Sequence, residues 1–270
     1  MFQLKLASCM AENSESFCQA VARFIENRIR IPTHYVTGIP WQERERSFDQ
    51  GEIHILWLCG LPYVHKADRA EIGLELLAVP IPRGERYRNR PVYFSDVIVR
   101  RDRPFQSFFD LRGAMWAYNE PRSHSGFNVV RAHLAELGEV ENFFATVVES
   151  GAHSASLEMV LCGQVDGSAI DSTVLEWFMA EREQLADEIR VIDTFGPSPI
   201  QPWVISRQVP ANLRSDIRAL LLHMHTETFG RIMLDRARID RFVAAEDRDY
   251  DLVRAVAKKA EQVSLYRLSC

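Results

Sequence analysis

The sequence contains no apolar run that approaches the ~20 residues needed to cross a bilayer. It also lacks internal repeats and low-complexity tracts, so a membrane-spanning or repeat architecture is not expected. Positive charge is not in excess, because 32 Lys and Arg residues stand against 37 Asp and Glu residues, for a formal net charge of −5. No basic stripe with interleaved aromatic residues compensates, and nucleic acid is therefore not an expected partner.

Three motifs of enzyme chemistry are missing as well. The sequence has no G-x-S-x-G elbow, no H-E-x-x-H and no G-x-x-x-x-G-K-[ST], which are the signatures of hydrolases, metalloproteases and P-loop proteins. His223 and His225 are two residues apart, so on a helix they point to different faces and do not form a metal pair. We expect no metal and no organic cofactor.

Cysteine is scarce and scattered. The five cysteines are odd in number and show no C-x-x-C spacing, which indicates neither a disulfide framework nor a zinc site. Three of them lie in apolar surroundings, which favours reduced core thiols in a cytosol-like compartment. They are Cys9, Cys18, Cys59, Cys162 and Cys270.

The N-terminal segment bears on localisation. Leu6-Ala7-Ser8-Cys9 resembles a lipoprotein cleavage box, but the residues before it are too few for a hydrophobic signal region, and we interpret the segment as a first strand. The expected compartment is therefore the cytoplasm, or the periplasm if a leader has been removed.

Strand and helix patterns alternate along the 270 residues, a length that favours two lobes. This alternation predicts an α/β protein with mostly parallel sheets, whose ligands bind at the carboxyl ends of the strands. The predicted strands are 2–7, 33–36, 53–59, 74–81, 92–100, 114–118, 143–148, 169–171 and 190–194. The first predicted helix begins at residue 13 or 14. The other predicted helices cover 127–137, 154–161, 173–189, 211–233 and 250–268.

The turn Asn119–Gly126 lies between a predicted strand and a predicted helix. It would bring the hydroxyls of Ser123 and Ser125 and several backbone N–H groups to a helix N-terminus, where the macrodipole adds about half a positive charge. Such a turn favours a tetrahedral oxyanion. The alternative is a plain N-cap, since Ser is a preferred capping residue.

Six motifs, in their order and spacing, resemble the phosphonate-binding family of ABC-transporter substrate-binding proteins, which also takes phosphite and phosphate. The resemblance spans residues 53–210. The motifs are Tyr93–Val99 (Y-F-S-D-V-I-V), Phe109–Gly113 (F-D-L-R-G), Ser123–Gly126 (S-H-S-G), Ser150–His153 (S-G-A-H), Val165–Ser172 (V-D-G-S-A-I-D-S) and Ser198–Pro202 (S-P-I-Q-P).

The resemblance implies a type II periplasmic-binding-protein fold. Each of its two α/β lobes is a mixed, mostly parallel sheet flanked by helices, and two crossing strands join lobes that close over the ligand by hinge motion. The lobes would be 1–98 with 200–270, and 99–199. It implies capture of a small anionic ligand (phosphate, phosphite or a phosphonate) in the interlobe cleft, without catalysis. An ABC-transporter permease would be the partner.

Carried over residue by residue, the oxyanion site falls on Ser123, His124 and Ser125, with Tyr93 from the facing lobe and His153. This donor set suits the chemistry, because a phosphonate or phosphate presents three or more acceptor oxygens that hydroxyl, amide and imidazole groups can bind. Without the resemblance, Tyr93 and His153 are interpreted as core or cap residues.

The sequence departs from the family pattern at two of its positions. His124 stands where relatives often carry a smaller hydroxyl residue. Gln201 replaces the acidic residue with which aminoalkylphosphonate binders hold the ligand's ammonium group. The lost charge-assisted hydrogen bond is worth roughly 1.5–3 kcal/mol, so an aminophosphonate is not the expected ligand.

Three further residues have open assignments. Trp41 and Trp57 are candidates for the wall beside the ligand's substituent, although a Trp within a buried strand is commonly a core residue. Asp171 either accepts a proton from the ligand or caps the following helix.

Two other functions stay open. One is a cytoplasmic ligand sensor of the same fold, with identical binding chemistry. The other is an enzyme that uses Ser123 or Ser125 as nucleophile and His153 as base, which is disfavoured because no carboxylate clearly orients His153.

Overall fold

The computed structural model divides the chain into two compact units. The first unit comprises Met1–Val92 and Pro199–Asp251, and the second comprises Tyr93–Ser198 and Leu252–Cys270. Within these bounds the structure describes residues 2–69 and 73–265.

Strands and helices alternate over much of the described chain. The strands are β1 (Leu4–Ser8), β2 (Thr33–Tyr35), β3 (Ile55–Trp57), β4 (Leu74–Pro82), β5 (Val92–Arg100), β6 (Met115–Tyr118), β7 (Thr146–Glu149), β8 (Gly167–Asp171), β9 (Ile189–Pro199), β10 (Trp203–Ser206) and β11 (Ile239–Val243). The helices are α1 (Glu15–Ile29), α2 (Trp41–Asp49), α3 (Gly60–Ala67), α4 (Val129–Glu136), α5 (His153–Leu161), α6 (Ser172–Glu181), α7 (Leu185–Glu188), α8 (Ala211–His223), α9 (Thr228–Arg236) and α10 (Asp251–Ala260). Single 3₁₀ turns cover Glu12–Ser14, Glu85–Tyr87, Phe108–Leu111, Met224–Thr226 and Asp247–Tyr250, and a π-helical turn covers His124–Asn128.

The first unit is built on a six-stranded sheet in the order β11-β4-β10-β3-β1-β2. Strand β1 is parallel to β2 and β3, whereas β10 is antiparallel to both β3 and β4. Helix α1 buries the apolar face that carries Phe17, Val21 and Ile25, which its 3.6-residue period predicts.

The second unit is built on a five-stranded sheet in the order β7-β6-β8-β5-β9. Strand β6 is parallel to β7 and β8, and β5 is antiparallel to β8. The carboxyl ends of β6, β7 and β8 and the amino end of β5 therefore lie at one edge, which we call the carboxyl edge. An aromatic core supports this sheet, with Phe108 stacked on Phe143 and Trp116 stacked on Phe144.

The predicted α/β fold class is confirmed, with a difference in strand direction. The sheets are mixed. In the first unit β10 runs opposite to both of its neighbours, and β11 pairs antiparallel with β4. The predicted strand 92–100 coincides with β5. The predicted start of α1 is confirmed with Ser14 at the N-cap position.

Several elements differ from the sequence-based prediction. The helix predicted over 173–189 ends at Glu181, and a separate α7 follows before β9. The helix predicted over 211–233 is divided by the 3₁₀ turn Met224–Thr226, after which Glu227 is extended. Strands β10 and β11 and helix α2 were not predicted, because each is short and lacks a clear period.

The compact units also differ from the predicted lobes, 1–98 with 200–270 and 99–199. The chain passes between units after Val92, Ser198 and Asp251, so β5 belongs almost wholly to the second unit. The segment that follows Asp251 is grouped with the second unit, whereas it was predicted to belong to the first lobe. Arg131 of α4 donates two hydrogen bonds to the carbonyl of Val263, at 3.0 and 2.8 Å, and Val263 is part of the second core.

The helix predicted over 250–268 is observed as α10, which ends at Ala260, while 266–268 lie outside the described residues. The described cysteines, Cys9, Cys18, Cys59 and Cys162, carry free thiols, and Cys270 lies outside the described residues. Burial raises the pKa of the Cys18 thiol. Within residues 2–69 and 73–265, no helix combines the length and apolarity that a bilayer crossing requires.

Candidate functional site

Three helical segments begin at the carboxyl edge of the second sheet. The π-helical turn that leads into α4 follows β6, helix α5 follows β7, and helix α6 follows β8. Each begins with N–H groups that have no acceptor within the helix, and each adds partial positive charge. This edge can therefore hold an anion without any full positive charge.

The turn after β6 has an unusual backbone. Ser123 is its N-cap, and the Ser123 hydroxyl accepts a hydrogen bond from the Gly126 amide at 3.0 Å. The Asn128 amide donates to the Ser123 carbonyl at 3.1 Å, a five-residue spacing that makes the turn wider than an α-helical one. The N-cap interpretation of Ser123 is thus supported, and its role in anion binding stays a prediction.

Gly126 is required by close packing inside this turn. A Cβ atom at position 126 would lie 2.0 Å from Oδ1 of Asn119 and 3.2 Å from Cε1 of His153. The glycine of the S-H-S-G motif therefore lets two polar side chains approach the turn.

Ser125 and His153 are brought together across the sheet edge. The Ser125 hydroxyl lies 3.3 Å from Nε2 of His153, which is the first residue of α5. The Ser95 hydroxyl of β5 donates to the Ser125 carbonyl at 2.7 Å and so fixes the turn to the sheet. Both Ser125 and His153 are buried.

His124 occupies the first position of the π-helical turn and is fully buried. Its Nε2 lies 3.1 Å from the hydroxyl of Ser198 in β9, and its ring centroid is 6.4 Å from that of Tyr93. Tyr93 was expected from the facing lobe, which needs correction. It belongs to the same unit as the turn, because β5 pairs with β8 from Ser95 onward.

Both imidazoles are neutral at pH 7. Burial lowers the pKa of His124 to about 4 and that of His153 to about 4, and burial is the sole cause of either shift. Nδ1 of each ring has no hydrogen-bond partner among the residues that the structure describes. The edge therefore contains two uncharged rings, each with one buried nitrogen that has no partner among the described residues, and their role in ligand binding stays a prediction.

Asp171 ends β8 and caps α6. One of its carboxylate oxygens accepts from the Thr173 amide at 2.8 Å and from the Thr173 hydroxyl at 2.7 Å. The Ser172 hydroxyl beside it accepts from the Phe94 amide at 3.0 Å. The capping interpretation of Asp171 is thus supported, and its proton-accepting role stays a prediction.

Trp41, Trp57 and Gln201 lie in the first unit. Trp41 begins α2 and is partly exposed, whereas Gln201 is buried. Trp57 stacks on Trp203 with a centroid distance of 5.2 Å, and its Nε1 donates to the Gln201 carbonyl at 3.1 Å. Trp57 is thus at least partly a core residue, and a role for any of the three in ligand binding stays a prediction.

Three polar residues of this edge were missed by the sequence reasoning. They are Asn119, whose Oδ1 has no partner within the described residues, Ser198, which bonds His124, and Ser95, which bonds the turn. All three lie within segments that were already noted, but nothing in the sequence ties Ser95 to Ser125, a residue 30 positions away.

Several solved structures are similar to this chain in fold. A binding-protein component of an ABC phosphonate transporter from Pseudomonas aeruginosa superposes with a TM-score of 0.83 at 15% identity, over 96% of this chain and 86% of that one. PhnD1 from Prochlorococcus marinus, in complex with methylphosphonate, gives 0.80 at 15% identity, over 97% and 99%. XAC2383 from Xanthomonas citri, bound to ATP, gives 0.74 at 14% identity, over 96% and 97%. At these identities the likeness defines the fold, which is that of the type II periplasmic binding proteins.

The family follows from the sequence itself. Residues 9–250 match the family of ABC-transporter, phosphonate, periplasmic substrate-binding proteins, and the chain belongs to that family. The resemblance carried by the six motifs is thereby confirmed.

Proposed function

We propose that this protein is the substrate-binding component of an ABC-type uptake system and that it binds a small phosphorus oxyanion or phosphonate at the carboxyl edge of its second sheet. The observation that carries the proposal is the meeting of three helix N-termini with buried hydroxyl and imidazole groups at that edge. Family membership and the methylphosphonate bound to PhnD1 of similar fold support it.

The proposed ligand contacts are the hydroxyls of Ser123 and Ser125, the amide of Ser125, the ring nitrogens of His124 and His153, and the Tyr93 hydroxyl. All of these groups are neutral, so they stabilise an anion through directed hydrogen bonds and helix dipoles. Buried hydrogen bonds to a charged group are worth about 1.5–3 kcal/mol each. A few such bonds supply micromolar affinity despite the unfavourable net charge of −5.

Binding is favoured over catalysis by the state of the Ser125–His153 pair. A serine nucleophile needs a base with a pKa near the working pH, held in place by a third group. Burial lowers the pKa of His153 to about 4, and its Nδ1 has no orienting acceptor in the described part of the chain. Such an imidazole is a weak base and a good hydrogen-bonding partner.

The test is isothermal titration calorimetry with phosphate, phosphite, methylphosphonate and aminoethylphosphonate, after a thermal-shift screen of the same compounds. A ligand at about 100 times its Kd stabilises the folded protein by roughly 2.7 kcal/mol. At least one of these compounds is expected to bind. No binding by any of them to a folded protein would contradict the proposed function.

The double variant Ser123→Ala/Ser125→Ala is expected to abolish this binding. Because Ser123 also caps the turn, the variant is expected to lose about 1 kcal/mol of stability. Ser107→Ala is the matched control, since Ser107 takes part in a capping box at the 3₁₀ turn Phe108–Leu111. The control is expected to lose stability and keep its affinity. Unchanged affinity in the double variant would mean that the ligand binds elsewhere.

A further inference from the structure

One buried group at the carboxyl edge has a chemical consequence beyond anion binding. His124 is fully buried, its Nε2 is bonded to Ser198, and its Nδ1 has no partner among the described residues. An unbonded ring nitrogen in a closed setting costs free energy unless a ligand satisfies it. Whether Nδ1 donates or accepts a hydrogen bond depends on the tautomer of the ring.

The surrounding backbone favours an acceptor. His124 is the first residue of the π-helical turn, where the backbone presents N–H groups and the positive end of the helix dipole. A lone pair on Nδ1 is stabilised by that field, whereas an N–H or a full imidazolium charge is disfavoured. With the proton on Nε2, the ring donates to the Ser198 hydroxyl and leaves Nδ1 as an acceptor.

The other titratable side chains around this position do not alter that assignment. On the elements that adjoin the turn they are Tyr93 and Asp96 of β5, His153 of α5, Asp171 before α6, Arg190 and Asp193 of β9, and Glu120 and Arg122 of the preceding turn. Burial by itself lowers the pKa of His124 to about 4, with no contribution from a charged side chain among the described residues. The ring therefore remains neutral throughout the physiological range.

We propose that His124 Nδ1 accepts a hydrogen bond from an acidic hydroxyl of the ligand, so that the site selects oxyanions in their monoprotonated form and discriminates against sulfonates and sulfate. This inference rests on the proposed function. A phosphonate monoanion carries one P–OH group, whereas a sulfonate of the same shape and charge carries none. The sulfonate would place an acceptor oxygen against an acceptor nitrogen, which both leaves the nitrogen unsatisfied and adds repulsion.

Proton balance follows directly. A ligand that is a dianion in solution takes up one proton from the solvent as it binds, and that proton resides on the ligand oxygen. Above the second pKa of methylphosphonate, its Kd is therefore expected to rise about tenfold for each pH unit. Methanesulfonate has no proton to lose, so its Kd is expected to stay constant over the same range.

The experiment is calorimetric titration of the full chain with methylphosphonate and methanesulfonate, from about pH 6 to about pH 9, in buffers of different ionisation enthalpy. The wild-type protein is expected to prefer methylphosphonate by about ten- to a hundredfold at the low end. It is also expected to take up one proton per methylphosphonate at the high end. A preference that is absent, or that does not change with pH, would overturn the inference.

Two variants separate the ring nitrogens. In His124→Gln the amide reaches the position of Nε2 and can keep the bond to Ser198, but nothing remains at Nδ1. In His124→Asn the carbonyl oxygen lies near the Nδ1 position and can still accept. The Gln variant is expected to bind both ligands with similar Kd, and the Asn variant to keep the preference for methylphosphonate. Equal loss of the preference in both variants, or no loss in either, would contradict the assignment.

Two further measurements keep the test decisive. His223→Gln, on the exposed surface of α8, is the matched control and is expected to behave as wild type. If a His124 variant fails to fold, ¹⁵N NMR of wild-type His124 decides, since a proton on Nδ1 in the free protein would overturn the inference. Failure of all oxyanions to bind contradicts the proposed function, whereas equal binding of phosphonate and sulfonate contradicts this inference alone.

Discussion

Acidification of the ligand-free protein is expected to destabilise it through the two imidazoles of the carboxyl edge. His124 and His153 have their pKa lowered by burial from 6.5 to about 4. Between these values the unfolded chain binds a proton at each histidine and the folded protein does not. The stability that comes from keeping each ring neutral is therefore present above pH 6.5, and it is lost as the pH falls toward 4.

The size of the effect follows from the shift. Each pH unit within this interval removes about 1.4 kcal/mol per histidine, which amounts to about 3 kcal/mol for each ring over the whole interval. Between pH 7 and about pH 5 the expected loss is about 2 kcal/mol per ring. For a protein whose total stability is of order 5–15 kcal/mol, two such losses are large.

Urea unfolding at pH 7 and about pH 5 measures this loss. The variant His124→Gln cannot titrate at position 124, so its free energy of unfolding is expected to fall by about 2 kcal/mol less than that of wild type. His54 and His133, whose pKa values burial also lowers, are present in both proteins and cancel in the comparison. His223→Gln is the control and is expected to follow wild type. An equal loss in wild type and His124→Gln would refute the reasoning.

Two further predictions concern the packing around Gly126 and the selectivity for the ligand's substituent. Gly126→Ala forces a Cβ atom into Asn119 and is expected to cost about 1–3 kcal/mol of stability and at least tenfold in oxyanion affinity, measured by thermal unfolding and calorimetry; unchanged values would show that Asn119 moves aside freely. Gln201→Glu is expected to shift the ratio of the Kd values for methylphosphonate and aminoethylphosphonate toward the amine, by an amount reduced by the cost of burying the new carboxylate. An identical ratio in both proteins would mean that Gln201 does not contact the ligand's substituent.

Local sequence patterns determined the elements that carry the proposed site. The apolar strand that ends at Tyr118, the serine-rich turn and the following apolar period together predicted strand, turn and helix start, and these are observed. Such features depend on residues close together in the chain, since capping, glycine content and hydrophobic period are local properties. The order of the motifs was likewise sufficient to predict the family.

Short elements that lack a clear hydrophobic pattern could not be predicted from the local sequence. Strand β10 has four residues, and it is a strand because it lies between β3 and β4 in the sheet. The C-terminal segment belongs with the second unit because Val263 joins that unit's core and Val256 of α10 packs against it, which no local pattern indicates. In both cases the choice is made by packing between distant parts of the chain.

The chemistry of the site was decided by tertiary structure. Ser198 is 74 residues from His124, and Ser125 is 28 residues from His153, yet each pair is within hydrogen-bonding distance. Burial, not residue type, keeps both imidazoles neutral as the pH falls below 6.5, because it lowers the pKa of each to about 4. The sequence gives only the identity of the side chains. The loss of water that lowers the pKa of the two histidines arises only when distant segments pack together. The same is true of the contact with Ser198, which occupies one nitrogen of His124 and leaves the other without a partner among the described residues.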